Sequence, residues 1–200
     1  MSCGYSIDLQ KTDSGTYSIM EVPFHFDDIR AAHARISPFI NHTPVLSSAF
    51  FSSRATAAAA AASASSASSA APINLILKAE CLQKTGSFKI RGATNAVRAM
   101  MESGEITPMP HGAGVVTHSS GNHGQALAAA AAASNVKCVV VVPEGSPAVK
   151  ANAARDYGAD VVYCAPNLAS RERVCAEMQA VTGAAFVPPY VTHCYRGAKL

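Results

Sequence analysis

From residue 114 to residue 187, apolar runs alternate with segments of helical period. Residues 114–118 predict a strand, 122–133 a helix and 136–142 an apolar strand. A helix follows over 147–157, ended by Gly158, then a strand over 160–164. A third helix over 168–181 has Gly183 after it, and 185–187 is a last short strand. Strands without polar alternation, joined by helices, are the pattern of a parallel sheet covered on both faces. The run of alanines over 128–133 suits close packing of its helix on that sheet.

Upstream the pattern is less regular. Residues 27–36 read as a helix with Ile29, Ala32 and Ile36 on one face, Asp27 as a cap candidate and Ser37-Pro38 as its stop. Residues 74–80 read as a short apolar strand. In the next segment Ala93, Ala96, Val97, Met100 and Met101 recur at helical spacing. Residues 103–114, rich in Gly and Pro, look like a crossover between domains. Residues 1–22 show no period and are expected to be a loose tail. Between Ala55 and Ala71 the chain holds eleven Ala, five Ser and one Thr. That composition predicts a flexible, solvent-exposed insertion, with a frayed surface helix as the alternative.

Composition narrows the function classes. Two hundred residues, 49% of them hydrophobic, supply a core for one ordinary domain or two small ones. The formal net charge of +3 comes without a basic run, which argues against nucleic acid as a partner. Cys3, Cys81, Cys138, Cys164, Cys175 and Cys194 show neither CxxC nor zinc spacing, so reduced, mostly buried thiols are expected and no metal site is. No apolar stretch is long enough to span a membrane and no signal-peptide pattern opens the chain, so the expectation is a soluble, cytoplasmic protein.

Two stretches carry candidate chemistry. Thr85-Gly86-Ser87 reads as a strand-to-helix turn with Ser87 as N-cap. This places Lys89 in the first turn of a helix, at the positive end of its macrodipole. A lysine there is a candidate amine for Schiff-base chemistry with a carbonyl cofactor, although most first-turn lysines are solvated surface charges. Ser119-Ser120-Gly121-Asn122 lies where a parallel strand ends and a helix begins, the usual address of a ligand. Its hydroxyls and N–H groups can hold a carboxylate, or it can be a plain helix cap with a spare serine.

Longer motifs contain both stretches. Ser87-Phe88-Lys89-Ile90-Arg91-Gly92-Ala93 closely resembles the lysine motif of the fold-type II pyridoxal phosphate (PLP) enzymes. Thr117-His118-Ser119-Ser120-Gly121-Asn122-His123-Gly124-Gln125-Ala126-Leu127 resembles their substrate loop. The group includes serine racemase, serine/threonine dehydratase, cysteine synthase and tryptophan synthase β, and the likeness runs from about Phe26 to about Tyr190. It implies an α/β fold with a parallel sheet and flanking helices, and a PLP-dependent racemase or ammonia-lyase acting on serine or threonine. By resemblance Lys89 joins the cofactor and works on one face of the substrate Cα, while Ser120 handles the proton on the other. Phe88 packs beside the cofactor ring and Asn122 meets its 3′-oxygen. Ser119, Ser120, Gly121, His123 and Arg171 surround the substrate, though Arg171 could equally belong to a solvated helix face. Lys84, Thr85 and Gln125 match positions near a nucleotide effector site; for the full-length family the resemblance implies ATP and Mg²⁺ as effectors, with the metal-binding carboxylates outside this chain, and a homodimer when intact.

The resemblance also predicts the domain plan. Residues 23–113 would be the N-terminal part of a large domain, interrupted by the 55–71 insertion, and 114–190 a complete small domain. Residues 191–200 diverge from the family. The family holds the PLP phosphate on a glycine-rich loop, and this chain has no adjacent glycines. The expectation is therefore a truncated member with weak activity, or an inactive remnant that binds an intact subunit. A nucleotide-binding module without PLP is a third alternative. A half-present large domain would leave apolar residues around Leu75, Ile76, Val97 and Met100 exposed.

Overall fold

The computed structural model describes residues 6–11, 17–22, 26–62 and 71–189, with the backbone alone for 6–22. In chain order, β1 (Ser6–Lys11) and β2 (Tyr17–Val22) form an antiparallel pair with Asp8 opposite Met20. This differs from the loose tail expected over 1–22. The apolar alternation Ile7-Asp8-Leu9-Gln10 is only two repeats long, and an antiparallel partner completes it. Next come α1 (Phe26–Ile36), β3 (Val45–Ser47), α2 (Ala49–Ala62) and β4 (Ile76–Lys78). The first eight residues of the Ala/Ser tract, 55–62, are thus helix, as in the alternative reading. Alanine's high propensity sustains α2 although none of its side chains is buried. Residues 63–70 and 190–200 lie outside the described residues, so the rest of the insertion and the divergent end do too.

After α3 (Lys89–Glu102) come β5 (Val115–His118), α4 (Asn122–Ala133), β6 (Cys138–Pro143), α5 (Ala148–Asp156), β7 (Asp160–Cys164), α6 (Leu168–Thr182) and β8 (Ala185–Phe186). The last four strands form one parallel sheet in the order β7-β6-β5-β8, with Thr117 opposite Val140 and Val141 opposite Val162. Every position of β5 and β6 is buried. Successive strand side chains point to opposite faces, so the apolar run of β6 feeds two cores at once. Val115, Val140 and Val142 pack with Val97 of α3, Leu127 and Ala131 of α4, and Ala151 and Ala154 of α5. On the other face Val116, Val139 and Val141 pack with Val174 and Cys175 of α6.

Helix α3 shares the first of these cores, which runs unbroken across the boundary expected between residues 113 and 114. The Gly/Pro-rich loop changes the chain's direction without separating two cores. Val97 and Met100, expected to be exposed, are buried for the same reason: α4 covers them. Ile76 does fit the expectation, being 65% exposed. On its outer side α3 is tied to α1, where Arg35 donates from Nε to Glu102 at 2.8 Å and from Nη1 to Asn95 at 2.8 Å. Close approach of α4 to the sheet needs a glycine at 124, because a Cβ there would lie 2.8 Å from Val140 Cγ1.

Candidate active site

The lysine stretch is fixed by polar ties before α3 begins. Gln83, itself buried, accepts at Oε1 from the N–H of Asn41 (2.8 Å) and of Lys84 (3.1 Å), and its Nε2 donates to Asn41 O at 2.9 Å. Arg91 donates to both oxygens of Glu80, from Nη2 at 2.7 Å and from Nε at 2.8 Å. Thr43 Oγ1 donates to Glu80 at 2.6 Å. The Arg91 guanidinium holds the Glu80 carboxyl down at about 2, against partial desolvation, with Thr43 helping. Two charge-assisted bonds in fork geometry lock the start of α3 to the turn that follows β4.

Ser87 does not cap this helix. The chain already turns at Phe88, whose carbonyl accepts from Arg91 N at 3.0 Å, and Ser87 lies one residue too early. Its Oγ and that of Thr85 are buried with no hydrogen-bond partner among the described residues. Lys89 is the first residue of α3 and is half-buried; its Nζ donates to Pro189 O at 2.7 Å and lies 5.4 Å from the centre of the Phe88 ring. That ring is 60% exposed.

The second stretch sits at the C-terminal end of β5. Ser119 N–H donates to Val141 O at 2.9 Å, continuing the strand pairing, and Ser119 Oγ accepts from Gly121 N at 3.2 Å. Ser120 and Asn122 are exposed at the start of α4. Because β5 and β6 run parallel, the loop after β6 delivers α5 beside this turn. Lys150 Nζ donates to Asn122 Oδ1 at 3.4 Å, and a Cβ on Gly121 would lie 3.3 Å from it. Lys150 was not among the expected site residues. Its signal was its place in the first turn of the helix after the neighbouring strand.

His123 is turned inward, 7% exposed, with Nε2 3.2 Å from Val187 O. Burial pushes its pKa down to about 4, opposed by the Val187 carbonyl and assisted by the charges of Lys89 and His118. His123 and Lys89 therefore share one neighbourhood, bounded by residues 187–189. His123 was expected beside the substrate; its ring faces the segment just after β8, at Val187. His118 is buried and stacks on Phe186 with ring centres 5.6 Å apart; burial lowers its pKa first and Arg171 second. Arg171, in the first turn of α6, is half-buried with Nε shielded from solvent, rather than on a fully solvated face. Lys84 is exposed and Gln125 half-buried. Three of the four described cysteines are buried, and burial lifts the Cys138 and Cys175 thiols to about 12. Among the described residues no group of three or more His, Cys, Asp or Glu is placed to hold a metal ion, and no helix is long and apolar enough to cross a membrane.

A parallel α/β unit with a half-buried amine at one helix start and a hydroxyl-rich turn at another defines a class, and comparison with known proteins assigns it. Residues 38–198 match the pyridoxal-phosphate dependent enzyme family, and the chain belongs to it. It is 41% identical over 164 residues to a serine racemase of Mus musculus, covering 82% of this chain and 43% of that protein. It is 37% identical over 165 residues to a beta-hydroxyaspartate dehydratase of Paracoccus denitrificans, covering 82% and 45%. The crystal structure of a pyridoxal 5′-phosphate-dependent aspartate racemase superposes with a TM-score of 0.71 at 40% identity, covering 86% of this chain and 47% of that one. The chain thus spans less than half the length of these relatives.

The residues present fit the carbonyl and ring part of the cofactor. An amine beside an exposed aromatic face is the donor set for an aldehyde on a flat heteroaromatic ring. Two buried hydroxyls with no partner among the described residues, Thr85 and Ser87, flank the turn that delivers it.

Proposed function

We propose that the chain carries the lysine-bearing half of a PLP-dependent racemase/ammonia-lyase for a small hydroxy amino acid, with serine as first candidate and threonine as second. The observation that supports it best is the family match, which covers Lys89 and the Ser119–Asn122 turn together, within a single α/β unit. When bound, PLP withdraws electrons from the substrate Cα, so that its proton can leave. Lys89 is the amine that joins the cofactor and the base on one face. Ser120, exposed at the turn, returns a proton on the opposite face, and racemisation needs both. If the β-hydroxyl leaves as water, water then releases ammonia, and serine becomes pyruvate. Phe88 packs beside the ring, Asn122 meets its 3′-oxygen, and Ser119, Gly121, His123 and Arg171 lie around the substrate carboxylate and side chain. In a whole protein of the relatives' length, Mg²⁺ and ATP are effectors, Lys84, Thr85 and Gln125 lie near the nucleotide, and the assembly is a cytoplasmic homodimer.

The test is to incubate the purified chain with PLP, reduce with borohydride and find the modified lysine by peptide mass, then assay D-serine and pyruvate from L-serine. Modification at Lys89 supports the proposal, and modification elsewhere refutes it. Ser120→Ala should suppress racemisation far more than elimination; equal losses would sink the two-face assignment.

A second reading has its own observation. Val45, Leu46, Phe50, Phe51, Ile76 and Leu77 are all exposed, a surface suited to an inactive chain that binds an intact subunit. Loss of association on mixing with a complete relative would exclude it.

A further inference from the structure

We infer that His123 is a positioning residue: it latches residues 187–189, and the latched Pro189 carbonyl holds the Lys89 amine. The inference rests on Lys89 being the reactive amine of the proposed function, and it gives His123 a task besides any contact with the substrate. The Val187 peptide is gripped from both sides. Its N–H donates to Val116 O of β5 at 2.9 Å, and its carbonyl meets His123 Nε2 of α4 at 3.2 Å. A carbonyl only accepts, so Nε2 carries the proton and the buried ring is the Nε2–H tautomer. Two residues on, Pro189 O accepts from Lys89 Nζ at 2.7 Å. Pro188 and Pro189 each have a fixed φ, so the short link between the two contacts has little freedom to slacken.

The chemical consequence falls on Lys89. A nitrogen bonded at this distance to a carbonyl is held as a donor, and attack on an aldehyde requires it to leave that carbonyl and present its lone pair. The latch therefore keeps Lys89 directed at the chain's own backbone until residues 187–189 give way. His123 acts on the amine through that segment, without touching the reacting atoms.

The ligand-free chain can be labelled with limiting trinitrobenzenesulfonate and the rate at each lysine read by peptide mass, with exposed Lys84 as internal reference. His123→Leu, which removes the latching donor, should raise the Lys89-to-Lys84 ratio about tenfold, the effect of releasing the charge-assisted Lys89–Pro189 hydrogen bond. His123→Gln retains an N–H donor and should return the ratio toward the original. The double variant Pro188→Gly/Pro189→Gly frees the segment without touching His123 and should match His123→Leu. If His123→Leu does not fold, the double glycine variant alone decides. An unchanged ratio in folded variants overturns the latch. A raised ratio that His123→Gln fails to restore does the same, because packing rather than the hydrogen bond would then be responsible. A parallel arm with PLP and borohydride separates the two ideas: absence of pyridoxyl at Lys89 in every variant removes the cofactor role, while the labelling ratio still judges the latch.

Discussion

The sheet β7-β6-β5-β8 and the pair β3–β4 are both built from apolar strand residues, yet they end in opposite surroundings. Every residue of β5 and β6 is buried, whereas every residue of β3 and β4 is exposed. The difference lies in what covers them. Helices α3, α4 and α5 close one face of the large sheet and α6 the other, while α2 beside β3–β4 buries none of its own side chains. What holds β3 and β4 is polar: Lys78 Nζ to Thr43 O at 2.6 Å, Ala79 N to Pro44 O at 3.1 Å, and the Thr43–Glu80–Arg91 cluster. One region is stabilised by packing, the other by hydrogen bonds and charge. A strand-forming sequence specifies the strand; its neighbours decide whether that strand becomes core.

The largest expected effect tests the packed region. Leu127 is fully buried between α3 and the sheet, and Leu127→Ala should cost about 2–5 kcal/mol through lost burial and a residual cavity. Urea unfolding followed by far-UV circular dichroism reads it. A cost below about 1 kcal/mol would show that this core collapses onto the gap, and would blur the contrast with β3–β4.

Acid should separate the two regions by pH window. His123 titrates at about 4 in the fold against 6.5 when unfolded. The unfolded chain takes up the proton first, so stability is full above pH 6.5 and falls as pH drops toward about 4. The loss is at most about 3 kcal/mol at 1.36 kcal/mol per unit. Glu80 titrates at about 2 against 4.5. Its contribution is present above pH 4.5 and is lost as pH falls from there toward about 2. Denaturant midpoints across pH should show the first loss vanish in His123→Gln. Hydrogen exchange at Ala79 N should report the second, in the lower window.

A smaller effect probes how closely α4 sits on the sheet. Gly124→Ala puts a methyl 2.8 Å from Val140 Cγ1 and 3.3 Å from Ser119 Cβ. Helix propensity favours alanine, but overpacking costs about 1–3 kcal/mol and should dominate. A rise in melting temperature would show that α4 can move off the sheet at little cost.

The same contrast explains what could be read in the sequence. The β5-to-β8 alternation was legible because each strand is an apolar run and each helix ends at a glycine or an equivalent stop; α4 and β7 fall where the pattern puts them. The continuity of α3 with that core was not legible, since a Gly/Pro-rich loop marks a change of direction and says nothing about which surfaces meet across it. Ser87 as a cap failed by one residue, a shift that propensity cannot resolve. The Lys89–Pro189 and His123–Val187 contacts join positions 100 and 64 residues apart, and no local period encodes them. The lysine and serine motifs were legible as a family likeness; the inward turn of His123 and the placing of Lys150 required three dimensions.

The smallest effect on stability belongs to the exposed pair. Ile76 is 65% exposed and its neighbour Leu77 43%, so Ile76→Ser removes little buried surface, and surface substitutions of this kind stay within about 0.5 kcal/mol. The backbone pairing of Ile76 with Ser47 does not depend on the side chain. What should change is association. An apolar strand face that no described residue covers buries itself against another chain when one is available. Sedimentation of the purified protein over a range of concentrations should therefore show less self-association for Ile76→Ser, with the urea midpoint unmoved. If the free energy of unfolding drops by about 1 kcal/mol or more, on the order of a buried methylene, β3–β4 owes its stability to packing after all, and the division between a packed and a polar region fails.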